Sequence, residues 1–387
     1  ALALVNESHG IDIDIDDIPL DCQKTFGLFQ RGETVAIFQF ESEGMREWLR
    51  KLKPTCIDDL IAMNALYRPG PMDLIPNYVD RKQGRELVTY PHEMLKPILE
   101  STYGIPVYQE QVMEMARTMG GYTLGAADLL RRAMGKKKQK EMDRHRAIFV
   151  AGAAEKGVDT QTAEAVFTMM AKFAGYGFNK SHSAAYSLVA YQTAYLKAHY
   201  PAIFLAAAMT NEMGDTKKLS VVLDEAHRIG IGLQPPSINK SQAHFTVETG
   251  KSEQAISEDT ASEDTVRFGL GGIKGVGRGA IEAIIVARDE VGEFRSVYQL
   301  AEKVDLRAVN KKALECLARV GTLDELGGHR RQAVEAVEGA IAYGQRRQAD
   351  AAAGQNSLFG TAESPSGFVE PALPTVEPWS KAQILKE

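Results

Sequence analysis

Cysteine is scarce: Cys22, Cys56 and Cys316 are the three in 387 residues, and they lie far apart. That spacing excludes a disulfide framework and a Cys-x-x-Cys metal site, and it suits a reducing, cytoplasmic compartment. Long apolar runs are missing too. The longest, Ala202 to Met209, is far short of the about 20 residues that cross a bilayer, so no membrane partner is expected. No basic stretch followed by an apolar run opens the chain, so no export signal is expected. The chain begins on Ala1 rather than Met, which reads as a piece of something longer. No long internal repeat interrupts it. What remains is a globular composition, 44% hydrophobic and 25% charged with a net charge of −6. At roughly 150 residues per domain, it is enough for two to three folding units.

Charge is segregated within that balance. Residues 1–50 hold ten acidic and four basic side chains. Residues 131–146 hold eight basic (Arg131, Arg132, Lys136, Lys137, Lys138, Lys140, Arg144, Arg146) against Glu141 and Asp143. A solvated helix face usually mixes signs, so this block reads as a contact for a polyanion.

Periodicity is mostly helical. Leu28 to Phe40 is the exception: Thr34, Val35, Ile37, Phe38 and Phe40 follow a turn at Arg31-Gly32 and predict an extended segment. Helices are expected from Ser42 to before Pro54, then over Ile57–Leu66, Gln109–Met119, Ala126–Gly135 and Lys140–Lys156. Further helices are expected over Thr160–Ala174, Ala184–His199, Ala202–Asn211, Lys217–Ile229 and Ala333–Ala353. Residues 248–264 are polar and Ser/Glu-rich and read as a flexible loop. A compact unit follows from Val266 to about Gly327, and 361–378 reads as an extended linker.

Four constellations could carry chemistry. In Ile11-Asp12-Ile13-Asp14-Ile15-Asp16-Asp17, alternating carboxylates on a strand would share one face and could hold two divalent metals. The reading adopted is an acidic surface strand or linker, because no third carboxylate or supporting fold precedes it. The stretch Leu129 to Lys138 sets Arg131 and Arg132, which grip phosphates bidentately, beside Lys136 and Lys137 as point charges. Phe173 to Tyr186 interleaves glycines and aromatics, then places Asn179, Lys180, Ser181, His182 and Ser183 before a helix that Ser181 or Ser183 can cap. A structural corner with Tyr176 and Phe178 in the core is the competing reading. Ile273-Lys274-Gly275-Val276-Gly277-Arg278-Gly279 opens a helix with exposed backbone N–H groups, a non-specific contact for a duplex phosphate. A dinucleotide fingerprint is excluded there, since no strand–helix–strand unit or acidic ribose partner follows.

Five blocks together resemble the alpha subunit of bacterial replicative DNA polymerase III, a C-family polymerase. They are Ile18-Pro19-Leu20-Asp21, Ala65 to Pro71, Tyr103 to Gln111, Leu130 to Lys137 and Lys172 to Ser183. The resemblance covers nearly the whole chain. It implies a mainly α fold: a 1–17 remnant, then a multi-helix fingers domain with short strands over 18–250. A loop at 251–265 leads to a small helix-hairpin-helix unit at 266–330. A helix with a clamp-binding pentapeptide follows at 331–360, then a 361–387 linker toward an oligonucleotide-binding domain.

By the same resemblance, Arg68, Arg131, Arg132, Lys136, Lys137, Asn179, Lys180 and His182 would form a nucleotide- or phosphate-binding set. Arg131, Arg132, Lys136 and Lys137 would neutralise phosphates of the incoming dNTP or of nearby backbone. Asn179, Lys180 and His182 would line the same pocket, and Tyr176 or Phe178 would pack near the nascent pair. Lys274, Gly275, Gly277 and Arg278 would hold duplex DNA. Gln355, Leu358 and Phe359, in Gln355-Asn356-Ser357-Leu358-Phe359, would hold the sliding clamp (beta subunit), among other replisome subunits. Mg²⁺ would act in the complete enzyme on palm carboxylates outside this sequence. Neither a metal site nor a catalytic residue is therefore expected here, and the piece alone is expected to be inactive. The alternative is a stand-alone DNA-binding or clamp-tethering module with no nucleotide site.

Overall fold

The computed structural model describes residues 1–135, 139–174, 177–250, 264–352, 370–384 and 386. They form two compact units, Asp14–His199 and Ala1–Ile13 with Tyr200–Glu387. The division falls at Tyr200, inside the 18–250 stretch. Helix dominates both, as the periodicity predicts, and the strands among the described residues are three short ones in one sheet. Among the described residues no helix is long and apolar enough to cross a membrane.

The first helix, α1 (Leu2–His9), belongs to the unit containing the C-terminal half. The Asp14–His199 unit begins with α2 (Gln23–Arg31), α3 (Glu43–Leu52), α4 (Ile57–Leu66), α5 (Ile75–Lys82) and the single turn α6 (Lys96–Leu99). It continues through α7 (Gln109–Gly120), α8 (Leu124–Gly135), α9 (Gln139–Glu155), α10 (Thr160–Ala174) and α11 (Lys180–His199). Val112, Met115, Ala116 and Met119 of α7 recur at helical spacing, as do Ala163, Val166, Phe167, Met170 and Phe173 of α10. These stripes meet Phe149 and Ala153 of α9 and Leu130 and Met134 of α8 in one core. Gly152 permits the closest approach: a Cβ there would lie 2.1 Å from the Gly120 carbonyl oxygen. On α11 the small residues Ser183, Ser187, Ala190 and Ala194 are buried where α11 packs on α4 and α2. The Ser183 hydroxyl donates to the Ile61 carbonyl at 2.6 Å.

Two expectations are corrected here. Leu28 to Phe40 is not extended: its first four residues end α2, and 33–40 folds as successive turns. Ala36 and Gln39 take left-handed conformations (φ 62° and 66°), which bend the chain back on itself. Thr34 Oγ1 donates to the Phe40 carbonyl, and Lys197 Nζ of α11 donates to the carbonyls of Glu33 and Val35. Apolar alternation here seats Val35, Ile37 and Phe40 in the core from irregular backbone. The Asp12–Asp16 run is likewise no strand. Residues 11–14 are irregular and 15–16 form a turn, where the Asp16 N–H donates to Asp14 Oδ1 at 2.9 Å. Short carboxylate side chains compete for nearby backbone in this way.

The other unit adds α12 (Pro201–Asn211), α13 (Thr216–Arg228) and a sheet of order β1-β3-β2. Strand β1 (Gly232–Gln234) runs parallel to β3 (Thr265–Arg267), and β2 (Thr246–Glu248) antiparallel to it. The strands flank residues 251–263, which lie outside the described residues. Arg267 is buried and reaches Glu248 through two bonds (2.8 and 2.9 Å) and the Pro235 carbonyl. Beyond the sheet, α14 (Arg278–Val291), α15 (Val297–Lys303), α16 (Lys311–Arg319) and α17 (Arg330–Ala352) close a second core. Its centre includes Ile284, Leu300, Leu314, Leu317 and Val337. A last short helix, α18, spans Lys381–Ile384.

Candidate functional site

The polar turn Gln109-Glu110-Gln111, which opens α7, organises the Asp14–His199 unit. Gln111 is buried, and its Oε1 accepts from the Val107 and Tyr108 N–H groups at 2.8 and 3.0 Å. Its amide donates to Thr102 Oγ1 and the Ile98 carbonyl. That locks Tyr108 in an extended conformation, where it forms an isolated parallel bridge with Phe178. The Gln109 N–H completes it by donating to the Phe178 carbonyl at 2.9 Å.

Four cationic side chains gather around this turn. Arg131 of α8 donates to Gln109 Oε1 at 2.9 Å and to Asp128 Oδ1 at 2.8 Å, and Arg132 reaches the other oxygen, Asp128 Oδ2, at 2.8 Å. The Arg131 hydrogen bond holds the Asp128 carboxyl below its usual range. Glu110 accepts from the Asn179 side chain at 2.9 Å and the Lys180 N–H at 3.0 Å. The Lys180 ammonium lies 5.3 Å from the Tyr108 ring centre. Burial pushes the Tyr108 hydroxyl well above its ordinary range, so the ring stays a neutral partner. Arg68, just beyond α4, stacks 3.5 Å from the Phe178 ring centre. Its Nε is buried with no hydrogen-bond partner among the described residues, and burial lowers its pKa. An unsatisfied buried guanidinium nitrogen is costly and is a ready donor for an anion.

From Arg68 an aromatic ladder runs outward: Phe178 to His182 at 5.3 Å, His182 to Tyr186 at 4.2 Å, and Tyr186 to the exposed Phe38 at 5.3 Å. The α11 cap differs from expectation. Asn179 caps it, its Oδ1 accepting from the His182 N–H at 2.8 Å, and the helix starts at Lys180. Ser183 is instead used in the core contact to Ile61.

The structure thus brings together Arg68, Arg131, Arg132, Asn179, Lys180 and His182. Lys136, Lys137, Lys138, Gly175 and Tyr176 lie outside the described residues, as does the pentapeptide Gln355 to Phe359. Three residues were missed as site members: Gln109, Glu110 and Asp128. Gln109 and Glu110 sit in one of the quoted blocks, but their partners are 68 and 69 residues away, and no local spacing announces such pairings. A largely apolar cavity of about 270 Å³ lies in the same unit, lined by Pro71, Leu74, Ile105, Pro106, Met169 and Phe173 among others. None of the described residues predicted to bind phosphate lines it.

The hairpin residues belong to the other unit. Gly275 has a φ of +93°, and a Cβ there would meet Cys316 Sγ at 2.7 Å, so the turn demands glycine. Gly277 caps α14, and the space around Gly277 and Gly279 is open. Lys274 is exposed, as is Arg278, which pairs with Glu282 at 2.7 Å. A helix N-terminus with open glycines and flanking cations suits a phosphate.

Comparison with known proteins follows these two regions. Residues 1–157 match the bacterial DNA polymerase III alpha subunit finger domain, and residues 230–333 match a helix-hairpin-helix motif. A DNA polymerase III subunit alpha of Pasteurella multocida is 47% identical over 382 residues, 97% of this chain and 32% of the relative. Over nearly its whole length the chain is similar to DNA polymerase III alpha subunits. Subunits of the same name from Haemophilus influenzae and Caulobacter vibrioides are 46% and 44% identical over 96% and 98% of the chain. The chain spans 32% of the length of each. Among the described residues, no group of three or more His, Cys, Asp or Glu side chains is placed to hold a metal ion. Asp12, Asp14 and Asp16 lie in the stretch before the Ile18-Pro19-Leu20-Asp21 block, and no metal-binding role is carried to them.

Proposed function

We propose that this chain is the nucleotide-gathering and duplex-gripping portion of a DNA-directed DNA polymerase, working in the cytoplasm. The observation that carries the reading is the convergence of Arg68, Arg131 and Lys180 on one turn, with Arg132 sharing Asp128 with Arg131. The carboxylates near that turn are Asp128, Glu110 and Asp58, with Asp59 paired to Lys82, so the cations keep a small excess that a triphosphate would neutralise. Phosphoryl transfer is largely positioning and charge stabilisation. Asn179 and His182 would line the same place, with Lys136 and Lys137 beside Arg132 along the chain. Phe178, already stacked by Arg68, would pack near the nascent base pair. Mg²⁺ in a complete enzyme would supply charge neutralisation at the reacting phosphate, from donors other than the described residues.

The hairpin at Lys274, Gly275, Gly277 and Arg278 would hold the template–primer through backbone phosphates without reading sequence. Gln355, Leu358 and Phe359 would dock on the sliding clamp as an extended peptide with apolar anchors. Replacing Arg131 and Arg132 by Ala in the full-length polymerase is expected to raise the dNTP KM or lower kcat at least tenfold, with primer–template affinity unchanged. Unchanged kinetics would leave only the DNA-binding module reading, which the open glycines of the hairpin also favour.

A further inference from the structure

Residues 370–377 (Glu370-Pro371-Ala372-Leu373-Pro374-Thr375-Val376-Glu377) have no regular secondary structure and the composition of a linker. They are nonetheless held, through the carbonyls of Ala372, Pro374, Val376 and Glu377. The Tyr298 hydroxyl donates to the Ala372 carbonyl at 3.3 Å, and the Gln332 amide to that of Pro374 at 2.9 Å. His329 Nε2 lies 3.0 Å from the Val376 carbonyl, and Arg331 Nη1 donates to that of Glu377 at 3.1 Å. At the leading end, Ser296 Oγ donates to the Glu370 carboxylate. Between the first two carbonyl contacts Leu373 packs on the second core, its Cδ1 close enough to Gly328 that a Cβ there would come within 2.8 Å.

The groups that contact this segment are themselves fixed. Ser296 caps α15 and Tyr298 lies in its first turn. His329 and Gln332 bond reciprocally at the start of α17: the His329 N–H donates to Gln332 Oε1 at 3.1 Å, and the Gln332 N–H to His329 Nδ1 at 3.4 Å. Accepting at Nδ1 leaves the ring proton on Nε2, where it faces the Val376 carbonyl. With its Oε1 occupied, Gln332 presents its NH₂ outward to Pro374. Tyr298 is packed edge-on against Tyr343 at 5.7 Å. The segment matches this set of donors. Pro371 and Pro374 have no N–H to strand and restrict the free segment beforehand, so less conformational freedom is lost on docking. Recognition of an extended, proline-flanked peptide by aromatic and donor side chains is a recurrent binding mode.

We propose that α15 and the first turn of α17 form a docking surface for an extended Pro-x-Leu-Pro segment, and that residues 370–377 fill it as an intrachain latch. The latch fixes the point at which the polypeptide leaves the hairpin unit, so the chain after Glu377 starts from a set place on the unit proposed to grip duplex DNA. It stands on the contacts above and survives if the nucleotide reading fails.

The test uses the whole chain with Leu373→Asp, which removes the apolar anchor, and separately with Gln332→Ala, which removes a carbonyl donor. Thermolysin cleavage between Thr375 and Val376 is expected to be at least tenfold faster in both variants, and unchanged in Leu373→Met. A fluorescent peptide of residues 370–378 is expected to bind the Leu373→Asp chain at least tenfold more tightly than the wild-type chain, whose surface is already filled. Circular dichroism checks that each variant keeps its helices. Equal cleavage rates in wild type and both folded variants would overturn the latch, as would peptide binding that ignores Leu373→Asp.

Discussion

Arg131 Nη1 donates to Gln109 Oε1 at 2.9 Å, and the Gln109 amide donates in turn to the Gly177 carbonyl at 2.8 Å. One side chain therefore ties a guanidinium on α8 to the turn that opens α11. The two contacts use the acceptor end and the donor end of one amide, a combination that no carboxylate or aliphatic side chain reproduces.

Gln109→Ala in the full-length polymerase is expected to raise the dNTP KM about tenfold, equivalent to about 1.4 kcal/mol. Primer–template affinity should stay where it is, because the hairpin is untouched. Steady-state kinetics with a dNTP titration, beside a duplex-binding isotherm, separates the two. A change in duplex affinity alone would remove Gln109 from the nucleotide site.

The hairpin glycines should respond differently. Gly275→Ala strains a φ of +93° and drives a Cβ into Cys316 Sγ, so the unfolding midpoint should fall. Gly277 has a φ of −78° and open space around it, so Gly277→Ala should fold normally yet bind duplex several-fold more weakly. Its salt dependence should match wild type, since no charge is lost. Lys274→Ala with Arg278→Ala should instead reduce the slope of log K against log salt by about 2. Fluorescence anisotropy across a salt series reads both.

The helix crossing at Gly152 offers a stability test with an internal control. Gly152→Ala would place a methyl 2.1 Å from the Gly120 carbonyl oxygen, against backbone that cannot rotate away. It is expected to cost about 1–3 kcal/mol, the usual range for overpacking. Gly125 on α8 meets nothing within 4 Å, so Gly125→Ala should stabilise by up to about 1 kcal/mol through helix propensity. Urea titrations of both variants check the pair.

Acid should weaken the sheet through Glu248. The Arg267 hydrogen bonds hold the Glu248 carboxyl below its ordinary value of 4.5, with partial burial opposing them. A carboxyl depressed in the folded state contributes stability that is present above its unfolded pKa and lost as pH falls through the folded one. Wild type should exceed Glu248→Gln by up to about 1 kcal/mol at pH 7, a figure kept small because the carboxylate is partly exposed. The gap should close as pH drops below 4.5. Unfolding midpoints at pH 7, 5 and 3 test this, and a gap constant with pH would reject it.

The α7 and α10 stripes were legible because burial on one helix face repeats every 3.6 residues, a local signal. The hairpin was legible too, since Gly275 answers to local backbone geometry. Residues 28–40 misled because apolar alternation reports burial, whereas the bent backbone is held by Thr34 onto Phe40 and by Lys197, on a distant helix, onto Glu33 and Val35. Asn179 replaced the serines as the α11 cap because Ser183 faces α4, which only packing decides. Composition, charge segregation and the block motifs determined the class of the protein and which residues carry positive charge. Tertiary structure decided that Gln109 and Glu110 hold those charges together, whereas Asp128 meets Arg131 and Arg132 at helical spacing on its own helix, and it decided that the linker-like 370–377 segment is docked. Hydrogen bonds between residues some 70 positions apart leave no periodic trace in a sequence; they exist only once the helices have packed.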